Sequence, residues 1–183
     1  MIVGIDEVGR GCWAGPLVAG AVVLAKPIPG LADSKKLTKK RREQLALQIR
    51  EEALAYGLGW VDAPTIDKVG ITTAVKRAME QALSQISASY DRVIIDGSYN
   101  FLQANPLVEV LVRADATIPA VSAASILAKV ARDEYMAMQA LAHPGYGFER
   151  HVGYGTAVHI AALQAHGICI LHRKSFKPIK QFC

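Results

Sequence analysis

The chain has 183 residues, about half of them apolar, which suits one compact domain with a sizeable core. Lysine and arginine outnumber aspartate and glutamate by 21 to 16, and the net charge of +5 weakly favours a polyanionic partner. Three cysteines without CxxC spacing argue against a disulfide framework or a zinc ribbon, and they fit the reducing cytoplasm. No secretory signal and no long uncharged apolar run is visible, so we expect a cytoplasmic protein that does not cross a membrane.

Two buried strands are predicted near the N-terminus. The apolar run at residues 2–5 predicts a strand that stops at Asp6 and Glu7, where a glycine-rich turn begins. The run at residues 17–24 predicts a second strand, apolar on both faces.

A basic helix, a third strand and an apolar-faced helix are predicted next. Thr38 is the predicted N-cap of the basic helix, whose apolar positions recur at helical spacing as far as Tyr56. Residues 57–62 predict a strand, so the first three strands are compatible with a meander. A clear apolar stripe predicts a helix after Ile71.

The later part of the chain predicts strands joined by crossovers. Strands are predicted at residues 92–95 and 107–112, and a long helix at 122–142. The order of elements indicates an α/β fold with a mixed sheet. We expect a catalytic domain at residues 1–142 and a C-terminal extension at 143–183, with a short helix near 156–165, packed on the same domain.

Four acidic residues follow the apolar runs, and strand ends are where α/β sheets build their sites. They are Asp6, Glu7, Asp96 and Asp115. A carboxylate cluster needs a neutralising charge, and hard oxygen ligands select Mg²⁺ or Mn²⁺. Two such ions would activate a water molecule and stabilise the leaving oxygen of a phosphodiester.

The residues alone leave other interpretations open. An acid at a strand end is more often a turn residue or a helix cap than a metal ligand. Neighbouring residues on a strand point to opposite faces, so Asp6 and Glu7 share one site only if the strand ends or bulges, which Gly9 and Gly11 allow. The spacing from Gly4 to Gly9 is a near miss for a phosphate-binding loop, and two acids inside the cradle exclude nucleotide hydrolysis.

Six motifs follow one another along the chain. They are GIDEVGRG at 4–11 with AGP at 14–16, DSKKL at 33–37, IDG at 95–97, RAD at 113–115 with SAASILAK at 122–129, YGF at 146–148 with His151, Gly153, Tyr154, Thr156 and His159, and HRKSF at 172–176 with Pro178. In this order, over residues 2–178, they resemble the motifs of the ribonuclease HII family.

The resemblance implies a ribonuclease H-like fold, in which helices flank a central mixed five-stranded sheet and a short helical C-terminal extension follows. It implies an endoribonuclease of ribonucleotide excision repair that hydrolyses the RNA strand of RNA–DNA hybrids. The same enzyme would incise duplex DNA 5′ of embedded ribonucleotides by a two-metal-ion mechanism, leaving 3′-hydroxyl and 5′-phosphate ends. The implied catalytic and metal-binding residues are Asp6, Glu7, Asp96 and Asp115. We expect a monomer that uses Mg²⁺ or Mn²⁺.

Further residues are expected to contact the substrate. The glycine-rich loop would bring main-chain groups close to a 2′-hydroxyl. Lys35, Lys36 and the start of a helix capped by Ser122 would contact phosphates. Tyr154 would stack on a deoxyribose. These residues are Gly9, Arg10, Gly11, Lys35, Lys36, Ser122 and Tyr154. On their own they are also compatible with a tight turn, a solvated basic face and an ordinary loop tyrosine.

The chain departs from the family pattern at a few positions. Cys12 and Trp13 stand where proline and an aliphatic residue are usual, Ala114 replaces a glycine, and Gly155 stands where proline is common. None of these departures removes an acid. They put the handling of the substrate in question more than the chemistry.

Three other functions compete with this interpretation. Ribonuclease HIII carries an extra N-terminal domain, whereas the first acid here arrives at Asp6. A non-catalytic hybrid-binding module would not need carboxylates facing phosphates, and a DNA-only nuclease would not need a loop that reads ribose. The widely spaced histidines do not predict zinc, although one in a loop could assist proton transfer.

Overall fold

Five strands form one mixed sheet in the computed structural model, which describes residues 1–32 and 34–183. The order across the sheet is β3-β2-β1-β4-β5. The strands are β1 (Ile2–Val8), β2 (Leu17–Leu24), β3 (Ala53–Val61), β4 (Arg92–Asp96) and β5 (Val108–Leu111). The first three form an antiparallel meander, and β4 and β5 join it in parallel. The predicted mixed five-stranded sheet is confirmed.

Helices cover both faces of this sheet. They are α1 (Lys39–Glu52), α2 (Ala63–Val69), α3 (Ile71–Ser84), α4 (Pro119–Ala142), α5 (Phe148–His151), α6 (Ala157–His166) and α7 (Lys177–Lys180). Apolar residues of α2 and α3 pack on one face of the sheet, and those of α1 and α4 pack on the other. The predicted cap of α1 is confirmed, since the Thr38 hydroxyl accepts a hydrogen bond from the Arg41 backbone N–H at 3.2 Å. None of the helices in the described part of the chain is long and apolar enough to cross a membrane.

The long helix α4 lies against the backbone of the central strands. A Cβ atom on Gly4 would lie 2.2 Å from backbone atoms of Ala120 and Val121, and one on Gly20 would lie 2.5 Å from the carbonyl oxygen of Ala124. Side chains at these two positions would therefore push the helix away from the sheet. The close approach brings the start of α4 to the edge where β1 and β4 end.

Three predicted boundaries are wrong: the end of the basic helix, the start of the long helix and the end of the first strand. Tyr56 was predicted on the basic helix, but α1 ends at Glu52, and Tyr56 pairs with Val22 inside β3. Ser122 was predicted to cap the long helix, but α4 begins earlier and has Ile118 as its N-cap residue. The helix α2 was not predicted, and Asp6 and Glu7 lie inside β1 rather than beyond it.

The C-terminal residues pack on the end of α4 and on the β1–β2 connection. Their apolar side chains form one cluster with Ala14 and Met136. The backbone N–H of Gly15 donates to the carbonyl of Leu171 at 2.8 Å. We propose that residues 143–183 are an extension of the domain formed by residues 1–142, since they share these contacts.

Replacing Gly4 with alanine should destabilise the protein. The new Cβ would overlap the backbone of α4, so we expect the free energy of unfolding to fall by about 3 kcal/mol. Urea unfolding followed by circular dichroism measures this change. Gly11→Ala is the matched control, because nothing lies within 4 Å of the new atom. Equal losses in the two variants would contradict the role of close packing at Gly4.

Candidate active site

Three of the predicted acids meet at the edge where β1 and β4 end. Asp6, Asp96 and Asp115 each offer a carboxylate oxygen, and these atoms lie within 4.8 Å of one another. The parallel register pairs Ile5 with Ile95, so the next residues of the two strands, Asp6 and Asp96, lie side by side. Asp115 arrives from a single turn of 3-10 helix after β5. The register of β1 with β4 and the turn after β5 together bring the three carboxylates into one cluster.

Backbone groups hold these carboxylates in place. A carboxylate oxygen of Asp6 accepts the backbone N–H of Glu7 at 2.8 Å, and one of Asp96 accepts the N–H of Ala114 at 2.7 Å. The Ser122 hydroxyl, on the first turns of α4, donates to the backbone carbonyl of Asp115. Ser122 therefore fixes the turn that carries Asp115, a role that its predicted capping function did not anticipate.

The cluster is electrostatically unfavourable without a cation. Burial, together with the charges of Glu7 and Asp96, raises the pKa of Asp6 to about 8, although a hydrogen bond from Ser125 acts in the opposite direction. The three clustered ligand groups are all carboxylates, and a purely oxygen donor set is the one that Mg²⁺ and Mn²⁺ prefer. The residues present therefore fit a hard divalent ion.

Glu7 lies beside the cluster rather than within the group of three. Its side chain is 14% exposed, and one of its oxygens is 3.8 Å from the guanidinium of Arg10. Its charge still contributes to the raised pKa of Asp6. The structure thus brings three of the four predicted acids together and places the fourth next to them.

The glycine-rich loop follows β1 directly. Gly9 has a φ of 89°, and a Cβ there would lie 2.4 Å from Nε of Arg132, so only glycine fits. Gly11 is different, because nothing lies within 4 Å of the position that its Cβ would take. The side chain of Arg10 between them is exposed. The loop is fixed at its first glycine and open at its second.

Two fully buried arginines anchor the segment after this loop, and sequence reasoning did not single them out. Arg132 donates to the carbonyls of Pro16 at 2.8 Å, Ala14 at 3.0 Å and Val152 at 2.8 Å. Arg173 donates to the carbonyls of Gly15 at 2.9 Å and Arg10 at 3.1 Å. Arg173 lies in the HRKSF motif, whereas the only sequence signal for Arg132 is a basic residue on the apolar face of α4.

The predicted phosphate-contacting lysines lie in a turn that reaches the cluster. The Ser34 hydroxyl is 3.0 Å from that of Ser125, which also hydrogen-bonds Asp6. Lys36 is exposed in this turn. Asp33 and the side chain of Lys35 lie outside the described residues.

Tyr154 lies in the loop before α6, with 40% of its surface exposed. The ammonium group of Lys129 is 5.9 Å from the centre of its ring and 2.8 Å from a carboxylate oxygen of Asp133. Lys129 and Asp133 therefore form an ion pair one turn apart on α4. The tyrosine thus presents its ring at the surface beside a positive charge.

Three buried histidines support the loop that carries Tyr154. His172 accepts the backbone N–H of Cys169 on Nδ1 at 2.8 Å, so its proton is on Nε2, which faces Nε2 of His159 at 3.0 Å. Nδ1 of His159 donates to the carbonyl of Tyr154 at 3.0 Å. The third ring, His151, stacks on His159 at 4.3 Å. In this arrangement His159 and His172 are both neutral.

Protonation of this pair should destabilise the protein in acid. Burial lowers the pKa of His159 and of His172 to about 4, whereas an unfolded histidine titrates near 6.5. Stability from the pair is therefore complete above about pH 6.5 and is lost as the pH falls toward 4. With two protons taken up on unfolding, the pair would contribute a slope of about 2.7 kcal/mol per pH unit near pH 5.

Urea unfolding between pH 4 and 7 measures this slope. His172→Phe should reduce the uptake on unfolding by one proton, and His166→Gln, at an exposed position, is the matched control. A slope that His172→Phe leaves unchanged would contradict the neutral pair.

Comparisons with known proteins identify the family of the chain. The family model described as Ribonuclease HII matches residues 3–179. Ribonuclease HII of Halorhodospira halophila is 47% identical over 182 residues, which cover 98% of this chain and 93% of the relative. The PCNA:RNase HII complex from Archaeoglobus fulgidus matches with a TM-score of 0.83 and 26% identity, over 97% of this chain and 95% of that chain.

The fold also recurs in a more distant structure. The crystal structure of Bst-RNase HIII in complex with Mn²⁺ matches with a TM-score of 0.75 and 21% identity, over 98% of this chain and 68% of that chain. The family match covers nearly the whole chain and includes every element that carries the acidic cluster. The chain belongs to the ribonuclease HII family and is a ribonuclease H hydrolase, from a family that depends on divalent metal ions and acts on RNA–DNA substrates.

Proposed function

We propose that the protein hydrolyses the RNA strand of RNA–DNA hybrids and incises duplex DNA on the 5′ side of embedded ribonucleotides, leaving 3′-hydroxyl and 5′-phosphate ends. The observation that carries the proposal is the clustering of Asp6, Asp96 and Asp115 directly beside a glycine-rich loop. We further propose that it acts as a monomer in the cytoplasm. One chain supplies all three clustered carboxylates, the loop and Tyr154, and the three cysteines are free thiols.

The proposed ligands for divalent ions are Asp6, Glu7, Asp96 and Asp115. Two bound ions, Mg²⁺ or Mn²⁺, would supply Lewis-acid chemistry that activates the attacking water and stabilises the leaving oxygen. The carboxylate-only cluster supports this assignment, as does the Mn²⁺ named with the related ribonuclease HIII structure. The backbone hydrogen bonds to Asp6 and Asp96 orient their carboxylates before any ion binds.

The loop from Gly9 to Gly11 is proposed to read the ribose. Recognition of a 2′-hydroxyl by main-chain groups needs a backbone that a sugar can approach closely and that does not move. The open space at Gly11 satisfies the first condition. The bond from Arg173 to the carbonyl of Arg10 and the packing of Gly9 on Arg132 satisfy the second.

The remaining proposed contacts surround this loop. The exposed side chains of Arg10 and Lys36 can bind phosphates as mobile positive charges. The flat ring of Tyr154 is a surface on which the neighbouring deoxyribose can pack. Ser122 acts indirectly, because its hydroxyl holds the turn that carries Asp115.

The decisive experiment is cleavage of a labelled DNA duplex that contains one ribonucleotide, with Mg²⁺, with Mn²⁺ and with chelator. We expect a metal-dependent cut on the 5′ side of the ribonucleotide and none in an all-DNA duplex. Cleavage of continuous hybrid alone would indicate the specificity expected of ribonuclease HIII. Tight binding without any cleavage would indicate a binding module, and cutting of the all-DNA duplex would indicate a DNA nuclease.

Asp6→Asn should separate binding of the substrate from its cleavage. Asparagine can still accept the backbone N–H of Glu7 but cannot supply the charge, so we expect cleavage to fall by about 100- to 1000-fold with hybrid affinity largely unchanged. The same variant should lose most of the rise in melting temperature that saturating Mn²⁺ gives the unsubstituted protein. That rise reflects about 2.7 kcal/mol at a hundredfold excess over Kd.

Glu109→Gln is the matched control, because it removes an exposed carboxylate that pairs with Arg92 on the far edge of the sheet. It should keep both the cleavage and the Mn²⁺-dependent shift. Turnover by Asp6→Asn at the unsubstituted rate would overturn the assignment of the site.

A further inference from the structure

We propose that Cys12 and Trp13 are positioning residues for Tyr154, and that they set how well the protein binds a duplex in which deoxyribose adjoins the ribonucleotide. The inference rests on the proposed function, because it assigns a task to two residues behind the tyrosine of that same site. Neither residue touches the acidic cluster in the proposal. Both act through the orientation of one aromatic ring.

The first observation is a contact at the far end of the tyrosine. Cys12 is fully buried, and its thiol lies close enough to the hydroxyl of Tyr154 for each group to shift the pKa of the other. The ring that carries this hydroxyl remains partly exposed. Tyr154 therefore has its hydroxyl beside a buried thiol and part of its surface exposed, which suits a platform for a sugar.

The second observation is the fit between Trp13 and Gly155. A Cβ atom on Gly155 would lie 2.2 Å from Cζ2 of the indole, so the Trp13 ring fills the space that any other residue at position 155 would need. The backbone of Gly155 has no positive φ, and its requirement for glycine therefore comes from this packing. Trp13 therefore packs on the residue that follows Tyr154 in the chain.

Backbone hydrogen bonds join the same two segments. The N–H of Trp13 donates to the carbonyl of Gly153 at 2.8 Å. The N–H of Tyr154 donates to the carbonyl of His151 at 2.9 Å, and its own carbonyl accepts from His159. These bonds fix the main chain of Tyr154 but leave its side-chain torsions free. The thiol lies near the hydroxyl end of this side chain, and the indole packs on the residue that follows it in the chain.

The expected effect on specificity follows from the substrates. An embedded ribonucleotide is flanked by deoxyribose, whereas every sugar on the cleaved strand of a continuous hybrid carries a 2′-hydroxyl. A ring that packs on deoxyribose contributes to binding of the first substrate more than the second. A misplaced ring should therefore raise KM for the embedded ribonucleotide and leave kcat nearly unchanged.

A double-mutant cycle tests the role of Cys12. Cys12→Ala should raise KM for the single-ribonucleotide duplex by about 3- to 10-fold, the effect of one lost polar contact, with kcat within about twofold. Cys12→Ser should recover much of this loss, because a hydroxyl can replace the thiol as a partner. In a Tyr154→Phe background, Cys12→Ala should cause no further change. Cys169→Ala, which removes a thiol elsewhere in the C-terminal cluster, is the matched control.

A second pair of variants tests Trp13. Gly155→Ala should displace the indole and raise KM for the same duplex, and adding Trp13→Ala should reverse part of that rise, because the clash is gone. A merely structural role predicts the opposite. The double variant would then have a lower free energy of unfolding than Gly155→Ala alone, and KM would rise equally for both substrates. Urea unfolding of every variant separates these outcomes.

Three results would overturn the proposal. They are a Cys12→Ala effect that persists in the Tyr154→Phe background, equal changes on both substrates, and no relief of Gly155→Ala by Trp13→Ala. If the unsubstituted protein cuts neither substrate, the proposed function fails. The Kd of each variant for the duplex, measured in chelator, then tests the positioning role independently. Non-additive effects of Cys12→Ala and Tyr154→Phe on Kd would support the role, and additive effects would contradict it.

Discussion

The guanidinium of Arg132 is the contact on which the substrate-facing surface depends. It lies fully buried on α4 and donates to carbonyls of Ala14, Pro16 and Val152. A planar group with several fixed donors can satisfy three separate backbone carbonyls at once, which a lysine ammonium on a flexible stem cannot do in the same geometry. The β1–β2 connection and the loop that presents Tyr154 are thereby built on one side chain. Their relative position is a property of the core, so a substrate meets a preformed surface.

The acidic cluster is the converse case, because its members are held together against their mutual repulsion. The parallel pairing of β1 with β4 fixes Asp6 beside Asp96, and the close packing of α4 on Gly4 brings the turn of Asp115 to the same edge. The raised pKa of Asp6 reflects burial and two neighbouring negative charges. An arrangement that opposes ionisation contributes nothing to stability at neutral pH. Its physical justification is a cation that offsets the charge, which is why the geometry favours a metal site over a structural cluster.

Local patterns were sufficient to predict the elements that carry this cluster, and tertiary contacts decided what was missed. The apolar runs before Asp6 and Asp96 predicted both strands, since buried parallel strands need continuous apolar sequence. Tyr56 continued a helical periodicity, but pairing with β2 outweighed it. Ser122 has the chemistry of a cap, and its hydroxyl instead bonds a carbonyl of the preceding turn. The partners of Arg132 are backbone carbonyls distant in sequence, and no pattern of side chains records them.

The three departures from the family pattern, at Cys12, Trp13 and Gly155, lie together in the fold around Tyr154. Trp13 packs directly on Gly155, and the thiol of Cys12 lies near the hydroxyl of Tyr154, the residue that precedes Gly155. A larger residue at position 155 would collide with the indole, so the two positions cannot vary independently in this chain. The altered residues form one packed unit behind an unaltered tyrosine. In such a unit the position of the aromatic ring depends on the side chains behind it as a set, rather than on any one of them alone.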